Sequence, residues 1–211
     1  MKIWLNKWSN ALKNRKFILS LSTAILFLII SLIVNFIAGT YATERASLPV
    51  TDIILSNIPV FDVDGIFVYG PIILWSFMIF IFSHKPNKLP FTIKSIALFV
   101  IIRSIFISLT HIGPFPNQIL VSAGNFSSKY TFGGDLFFSG HTGLPYLLAL
   151  IFWENKKMRY FLIAASIFFG IIVLMGHLHY SIDVFAAFFI TYSIFHIAEY
   201  FFKKDRILFF S

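Results

Sequence analysis

The chain has 211 residues, of which 58% are hydrophobic and only 12% charged, with a mean hydropathy of +0.83. A water-soluble domain carries about 25% charged residues, so this composition excludes a fold bounded by water alone and makes lipid part of the solvent. The absence of Cys excludes disulfides, thiolate nucleophiles and thiolate metal sites. The net charge of +8 is clustered beside apolar segments, which points to topology and anionic headgroups rather than nucleic acid.

In chain order, a basic segment comes first, with Trp4, Trp8 and Leu12 at helical spacing. It reads as a short interfacial helix on the cytoplasmic face. Six apolar spans follow, near Phe17–Ala38, Ile66–Phe82, Phe91–Thr110, Leu136–Trp153, Tyr160–Gly176 and Tyr180–Phe202. Each is close to the ~20 residues that a helix needs to cross a bilayer. The first is too apolar over too long a stretch for a cleaved signal peptide. The second and fourth contain Pro71 and Pro145, which blur their ends.

The basic residues set the orientation. Lys2, Lys7, Lys13, Arg15 and Lys16 precede span one; Lys85, Lys88 and Lys94 separate spans two and three; Lys156, Lys157 and Arg159 separate four and five; Lys203, Lys204 and Arg206 follow six. Those fourteen fall on one side, against Arg45 and Lys129 on the other, so both termini are expected in the cytoplasm and residues 111–135 outside. The expected fold is all-α: a cytoplasmic interfacial segment (1–16), a six-helix catalytic membrane domain (17–202) and a cytoplasmic tail (203–211).

Two segments carry chemistry-bearing residues, and both fall on the outer side. One is Gly133-Gly134-Asp135-Leu136-Phe137-Phe138-Ser139-Gly140-His141-Thr142-Gly143; the other is His177-Leu178-His179-Tyr180-Ser181-Ile182-Asp183. His179 and Asp183, four apart, share one face of a helix. A carboxylate there can hold one imidazole nitrogen and raise the basicity of the other, which makes a nucleophile toward phosphorus. His141 opens span four after a Gly-rich turn, where free N–H groups with the Gly140 backbone and the Ser139 and Thr142 hydroxyls could bind phosphate. It could then act as general acid and base. Taken alone, His-x3-Asp and Ser-Gly-His are common patterns. Their convergence at one depth of a membrane domain favours function, because intramembrane ionisable groups are costly. A zinc site built from His141, His179 and Asp183 is the rival chemistry, but it leaves the phosphate-cradling turn without a role.

These residues also carry a resemblance. Gly134-Asp135-x3-Ser139-Gly140-His141-Thr142 and His179-Tyr180-Ser181-x-Asp183-Val184-x3-Phe188 are similar to two signatures of the sphingomyelin synthases, within the wider type-2 phosphatidic acid phosphatase superfamily. Arg103-x6-Thr110 resembles the end of a third motif, and Leu48-Pro49-x2-Asp52 weakly resembles a fourth. Val100 stands where the synthases have Tyr, and Gly133 where the animal enzymes have Cys. Val173 stands where the superfamily has a phosphate-binding Arg.

The resemblance implies a two-step, cofactor-free and metal-free reaction on membrane lipids. His179, supported by Asp183, takes the head-group phosphate from a glycerophospholipid while His141 protonates the departing diacylglycerol. A lipid alcohol such as ceramide then receives the head group. With water as acceptor the same site is a lipid phosphate phosphatase, acting on phosphatidate or an isoprenyl diphosphate, or a phospholipase. A non-catalytic lipid-binding or transporter-like protein is the alternative outside enzymology. Arg103, the one basic residue well inside a span, is the candidate phosphate clamp, with a structural ion pair as its bland reading. Asp135, His111, Tyr180 and Ser181 are accessory candidates, and His177 is more simply an interfacial histidine. His196 and Glu199 lie toward the cytoplasmic end of span six, away from the chemistry.

Overall fold

A computed structural model describes residues 2–119 and 134–210, with side chains from Asn6 onward; Trp4, Ser128, Lys129 and Gly133 therefore lie outside the described side chains. Among the described residues nine elements follow one another, all helical: α1 (Lys2–Lys13), α2 (Arg15–Glu44), α3 (Asp64–His84), a 3-10 turn (Pro86–Lys88), α4 (Leu89–Leu109), α5 (Gly140–Ile151), α6 (Lys156–Met175), α7 (Ser181–Phe201) and α8 (Lys203–Phe210). Among the described residues five stretches are long and apolar enough to cross a membrane: α2, α3, the 3-10 turn with α4, α6 and α7. They make this a multi-pass membrane protein by length and composition. The surface agrees, since Leu26, Ile33, Phe36, Ile73, Ile79 and Phe189 are exposed on their helices.

Local signals start the helices. Asn14 caps α2, its Oδ1 accepting the N–H of Lys16 at 3.0 Å, and Asn155 caps α6 by accepting that of Met158 at 3.2 Å. α2 lies along α4, and its buried stripe is made of small residues, Ser31, Ala38 and Ala42, which let the two backbones approach. α5 packs on α6 and α7 around Phe99, Phe138, Leu147, Leu148, Leu162 and Ile194. Gly143 is required here: a Cβ at that position would stand 2.7 Å from the Phe99 ring and 2.9 Å from Thr191 Oγ1.

Two expectations need correction. The fourth span was expected over Leu136–Trp153, but its helix has only 12 residues, Gly140–Ile151, about 18 Å long against a hydrocarbon thickness of about 30 Å. The residues before it, 134–139, are non-helical. Irregular backbone is tolerated at membrane depth only when protein satisfies its polar groups, and here side chains do so. Second, α7 begins at Ser181, so His179 precedes the helix and does not share a helical face with Asp183. Pro71 does not break α3, and α2 runs past Ala38 to Glu44.

The terminal helices meet one end of the bundle. Trp8 Nε1 donates to the Ser83 carbonyl at 2.7 Å, and Lys94 pairs with Asp205 at 2.8 Å. The loop at 45–63 and the segments at 134–139 and 176–180 close the opposite end, where Ser181 N–H reaches Asp52 at 2.7 Å.

Candidate active site

The site is built around the irregular segment 134–139, and its backbone groups find their partners in side chains and in backbone from other elements. Arg103 Nε donates to the Phe138 carbonyl at 2.8 Å, and its Nη2 donates to the Asp135 carbonyl at 2.6 Å. Its Nη1 pairs with the Asp135 carboxylate at 3.1 Å. His179 Nδ1 lies 2.7 Å from the Leu136 carbonyl. The Gly134 N–H donates to Thr43 Oγ1 at 3.3 Å, and the Ser139 N–H donates to the Asp183 carbonyl at 3.1 Å.

The contact with Leu136 fixes the tautomer of His179. A carbonyl oxygen only accepts, so Nδ1 carries the proton and Nε2 keeps its lone pair. Asp183 supports the same nitrogen from farther away, with its Oδ2 at 3.4 Å. That oxygen also accepts the Tyr180 N–H at 3.0 Å, as the third-position carboxylate of a capped helix start. Asp183 is therefore at once a cap for α7 and the anionic neighbour of His179, and it is almost fully buried. Its Oδ1 has no hydrogen-bond partner among the described residues.

His141 is the second residue of α5, and its ring stacks on Phe67 of α3 with centroids 4.1 Å apart. Pro145, four residues on, has no N–H to return to the His141 carbonyl. His141, His179, Arg103, Asp135 and Gly140 line one half-open cavity of about 390 Å³. Apart from Asn35, its remaining walls are mainly apolar, with Leu74, Phe99 and Leu144 among them. An imidazole with a free Nε2, a second imidazole and a guanidinium around an apolar cavity can hold an anionic ester, attack it and move a proton.

Other candidates take structural positions. Ser139 is fully buried and caps α5, accepting the Thr142 N–H at 3.4 Å. Thr142 is equally buried; its carbonyl accepts from Ser166 Oγ at 2.6 Å, and its own hydroxyl lacks a partner among the described residues. Neither side chain lines the cavity. Arg103 does line it, yet three of its five N–H donors hold the 134–139 segment, the bland reading of that residue in concrete form. Tyr180 Oη donates to the Gly113 carbonyl at 2.7 Å and accepts the Val50 N–H at 3.2 Å, tying two loops together. Ser181 meets Asp52, and His111 packs edge-on against Tyr41 with centroids 5.3 Å apart. His177 is buried at φ 54°, in the left-handed region, and its ring meets Phe115 at 5.1 Å. Among the described residues, no group of three or more His, Asp or Glu side chains is arranged to hold a metal ion.

Asp52, weakly marked in the sequence, has a definite place. Its Oδ1 accepts the N–H groups of Ile54 (2.8 Å) and Leu55 (3.0 Å), and its Oδ2 accepts that of Ser181. Burial pushes the carboxyl up, but the donors of Leu55, Ser181 and Ile54 outweigh burial and hold it below its ordinary 3.8. Asp52 thereby pins the first turn of α7, two residues after His179. Sequence reasoning missed the Leu136 carbonyl as the nearest partner of His179, since a backbone acceptor leaves no residue-type signal. It also missed Asn35 of α2, which lines the cavity.

Residues 133–200 match the family model described as PAP2 superfamily C-terminal. The match spans His141, His179 and Asp183 and runs from the start of segment 134–139 almost to the end of α7. It covers less than half of the chain, and it supports a place in the wider type-2 phosphatidic acid phosphatase superfamily, with lipid phosphatase or phosphotransferase chemistry. No curated protein and no solved structure matches the chain.

Proposed function

We propose that the protein is a lipid phosphotransferase that moves a phospho-head group from a glycerophospholipid to a lipid alcohol such as ceramide, through a phosphohistidine on His179. The observation that carries this reading is the tautomer of His179: Nδ1–H is committed to Leu136, and Nε2 belongs to an imidazole lining an apolar cavity shared with His141. Nε2 attacks the phosphodiester phosphorus. The bond to the glycerol oxygen breaks, and His141 delivers a proton to that oxygen, releasing diacylglycerol. The cationic phosphohistidine keeps its Nδ1 proton on the Leu136 carbonyl and is neutralised by Asp183. In the second step His141, now neutral, removes the proton of the acceptor hydroxyl, which attacks phosphorus and returns His179 to its starting state.

The basic residues favour a site on the non-cytoplasmic face. Hydrolysis is the second reading, since water can replace the lipid alcohol in the second step. A phosphomonoester substrate gains most from several cations. Arg103 is largely occupied by Asp135 and Phe138, and Val173 is buried among Val63, Ile172, Leu178 and Val184. Both facts favour a diester donor. The test is to give the purified protein labelled phosphatidylcholine and phosphatidylethanolamine, with and without ceramide, and phosphatidate in parallel, and to identify products by mass spectrometry. Transfer predicts diacylglycerol with the head group on ceramide. Free phosphocholine or phosphoethanolamine whether or not ceramide is present assigns a hydrolase, and turnover of phosphatidate alone assigns a phosphatase.

A further inference from the structure

The geometry points to Asn35 as the residue that recognises the polar linkage of the lipid seated in the cavity, meaning the ester carbonyls of a glycerophospholipid or the amide and hydroxyl of a lipid alcohol. This deepens the proposed function and rests on it. Asn35 lies on α2 between Ser31 and Ala38, on the same stripe as Ala42 at helical spacing. Those three neighbours are 0%, 7% and 0% exposed, because the stripe faces the bundle. Asn35, on the same stripe, is only half-buried, because there the stripe meets the cavity. Its amide has no hydrogen-bond partner among the described residues, although it sits in a helix whose window is among the most apolar of the chain. An unpaired amide at that depth is costly, and a ligand that brings a carbonyl or hydroxyl removes the cost.

The cavity walls say which part of a lipid comes there. Leu32 and Asn35 come from α2, and Phe67, Pro71, Leu74 and Trp75 from α3. α2 packs along α4, and α3 packs on α6; no comparable packing joins α2 to α3 among the described residues. The outward faces of both helices carry exposed apolar residues such as Ile33, Phe36, Ile72 and Ile73. A lipid can therefore reach the histidines sideways, with its chains against Leu32 and Leu74 and its phosphate at Arg103, His141 and His179. Asn35 then meets the segment between chain and phosphate, where the polar linkage lies. The carboxamide can donate to an ester carbonyl and can both donate to and accept from an amide or hydroxyl.

The test uses the full chain in detergent as wild type, Asn35→Leu and Asn35→Gln. Leu removes a polar group from an apolar helix, so the fold is retained, and Gln keeps the amide. Ester-linked and ether-linked phosphatidylcholine are titrated by native mass spectrometry, and head-group transfer is measured with donor and ceramide varied in turn. Wild type is expected to bind the ester form about tenfold more tightly than the ether form, a preference that Asn35→Leu loses, or to show a ceramide KM about tenfold below that of Asn35→Leu. The first result places Asn35 on the donor and the second on the acceptor, and Asn35→Gln recovers part of either effect. If Asn35→Leu binds both phospholipids as wild type does, and neither KM moves, the assignment is overturned. If the ester preference depends on Asn35 while no head group is ever transferred, the assignment stands and the transferase reading falls.

Discussion

The two ends of the bundle use charge in different ways. At the site end, Arg103, His179 and Asp52 each hold backbone groups: the carbonyls of Phe138, Asp135 and Leu136, and the N–H groups of Ile54, Leu55 and Ser181. At the terminal end, cations lie over rings as well as donating to backbone: Lys88 Nζ reaches the Phe209 carbonyl at 3.3 Å and Arg206 Nη1 the Ile151 carbonyl at 3.0 Å. Lys88 Nζ stands 3.5 Å from the centre of Phe209, and Arg206 lies 4.7 Å from Phe210 and 4.9 Å from Phe91. Cation–ring contacts and exposed ion pairs contribute about 0.5–1 kcal/mol each. A buried carbonyl that loses its donor costs about 1–3 kcal/mol. The lesson is that the site end holds an irregular backbone segment by specific side chains, whereas at the terminal end Lys88 and Arg206 each share their load among several rings and a carbonyl, so that no single ring contact is decisive.

The largest expected effect is on turnover. His179→Ala should lower the proposed head-group transfer by about a thousandfold or more, because it removes the proposed nucleophile. Asp183→Asn should lower it by at least about a hundredfold, since the amide cannot neutralise the proposed phosphohistidine cation. Initial rates with labelled donor measure both. A His179→Ala rate near that of wild type would break the comparison at its centre.

Arg103 comes next, in stability. Arg103→Ala leaves the carbonyls of Phe138 and Asp135 and the Asp135 carboxylate without their donor, and it should destabilise the protein by about 3–5 kcal/mol. Arg103→Lys should be intermediate, because one ammonium cannot reach all three oxygens. Thermal unfolding in detergent decides this, and a Lys variant as stable and active as wild type would remove Arg103 from both roles.

Much of this was legible in the sequence, and the misses have physical causes. Apolar runs located the helices because the lipid-facing surface demands them, and His141 and His179 stood out as ionisable groups near membrane depth. The shortened helix α5 was hidden, because Leu136, Phe137 and Phe138 are as apolar as helical residues while their backbone is held by Arg103 and His179. The order of partners around His179 was hidden because Leu136 contributes only its carbonyl. The Ser139 hydroxyl has the sequence setting of a phosphate donor, although its place just before α5 is equally that of a helix cap. Asn35 did carry a signal, a lone amide in an apolar window, with nothing in the sequence to pair it with the cavity.

Asp52 sharpens the comparison at smaller amplitude. Its folded value lies below 3.8, so the stability it contributes is complete above that pH and is lost as the pH falls through the folded value. Asp52→Asn should cost about 1 kcal/mol near neutrality and flatten the acid limb of the stability–pH curve. Unfolding measured from pH 6 to pH 3 tests the sign. At the terminal end Lys88→Met should change the thermal midpoint least, by less than about 1 kcal/mol in equivalent stability, and should leave turnover unchanged.

The most direct measurement is to trap the proposed phosphohistidine. Wild-type protein is mixed with donor lipid labelled in its head-group phosphate, quenched within a turnover at alkaline pH, where a phosphoramidate survives, and digested for mass spectrometry. The account predicts acid-labile label on His179 that is lost in His179→Ala and is chased onto ceramide by later addition of acceptor. Label on His141 instead, or full transfer with no labelled histidine at any time, would contradict it.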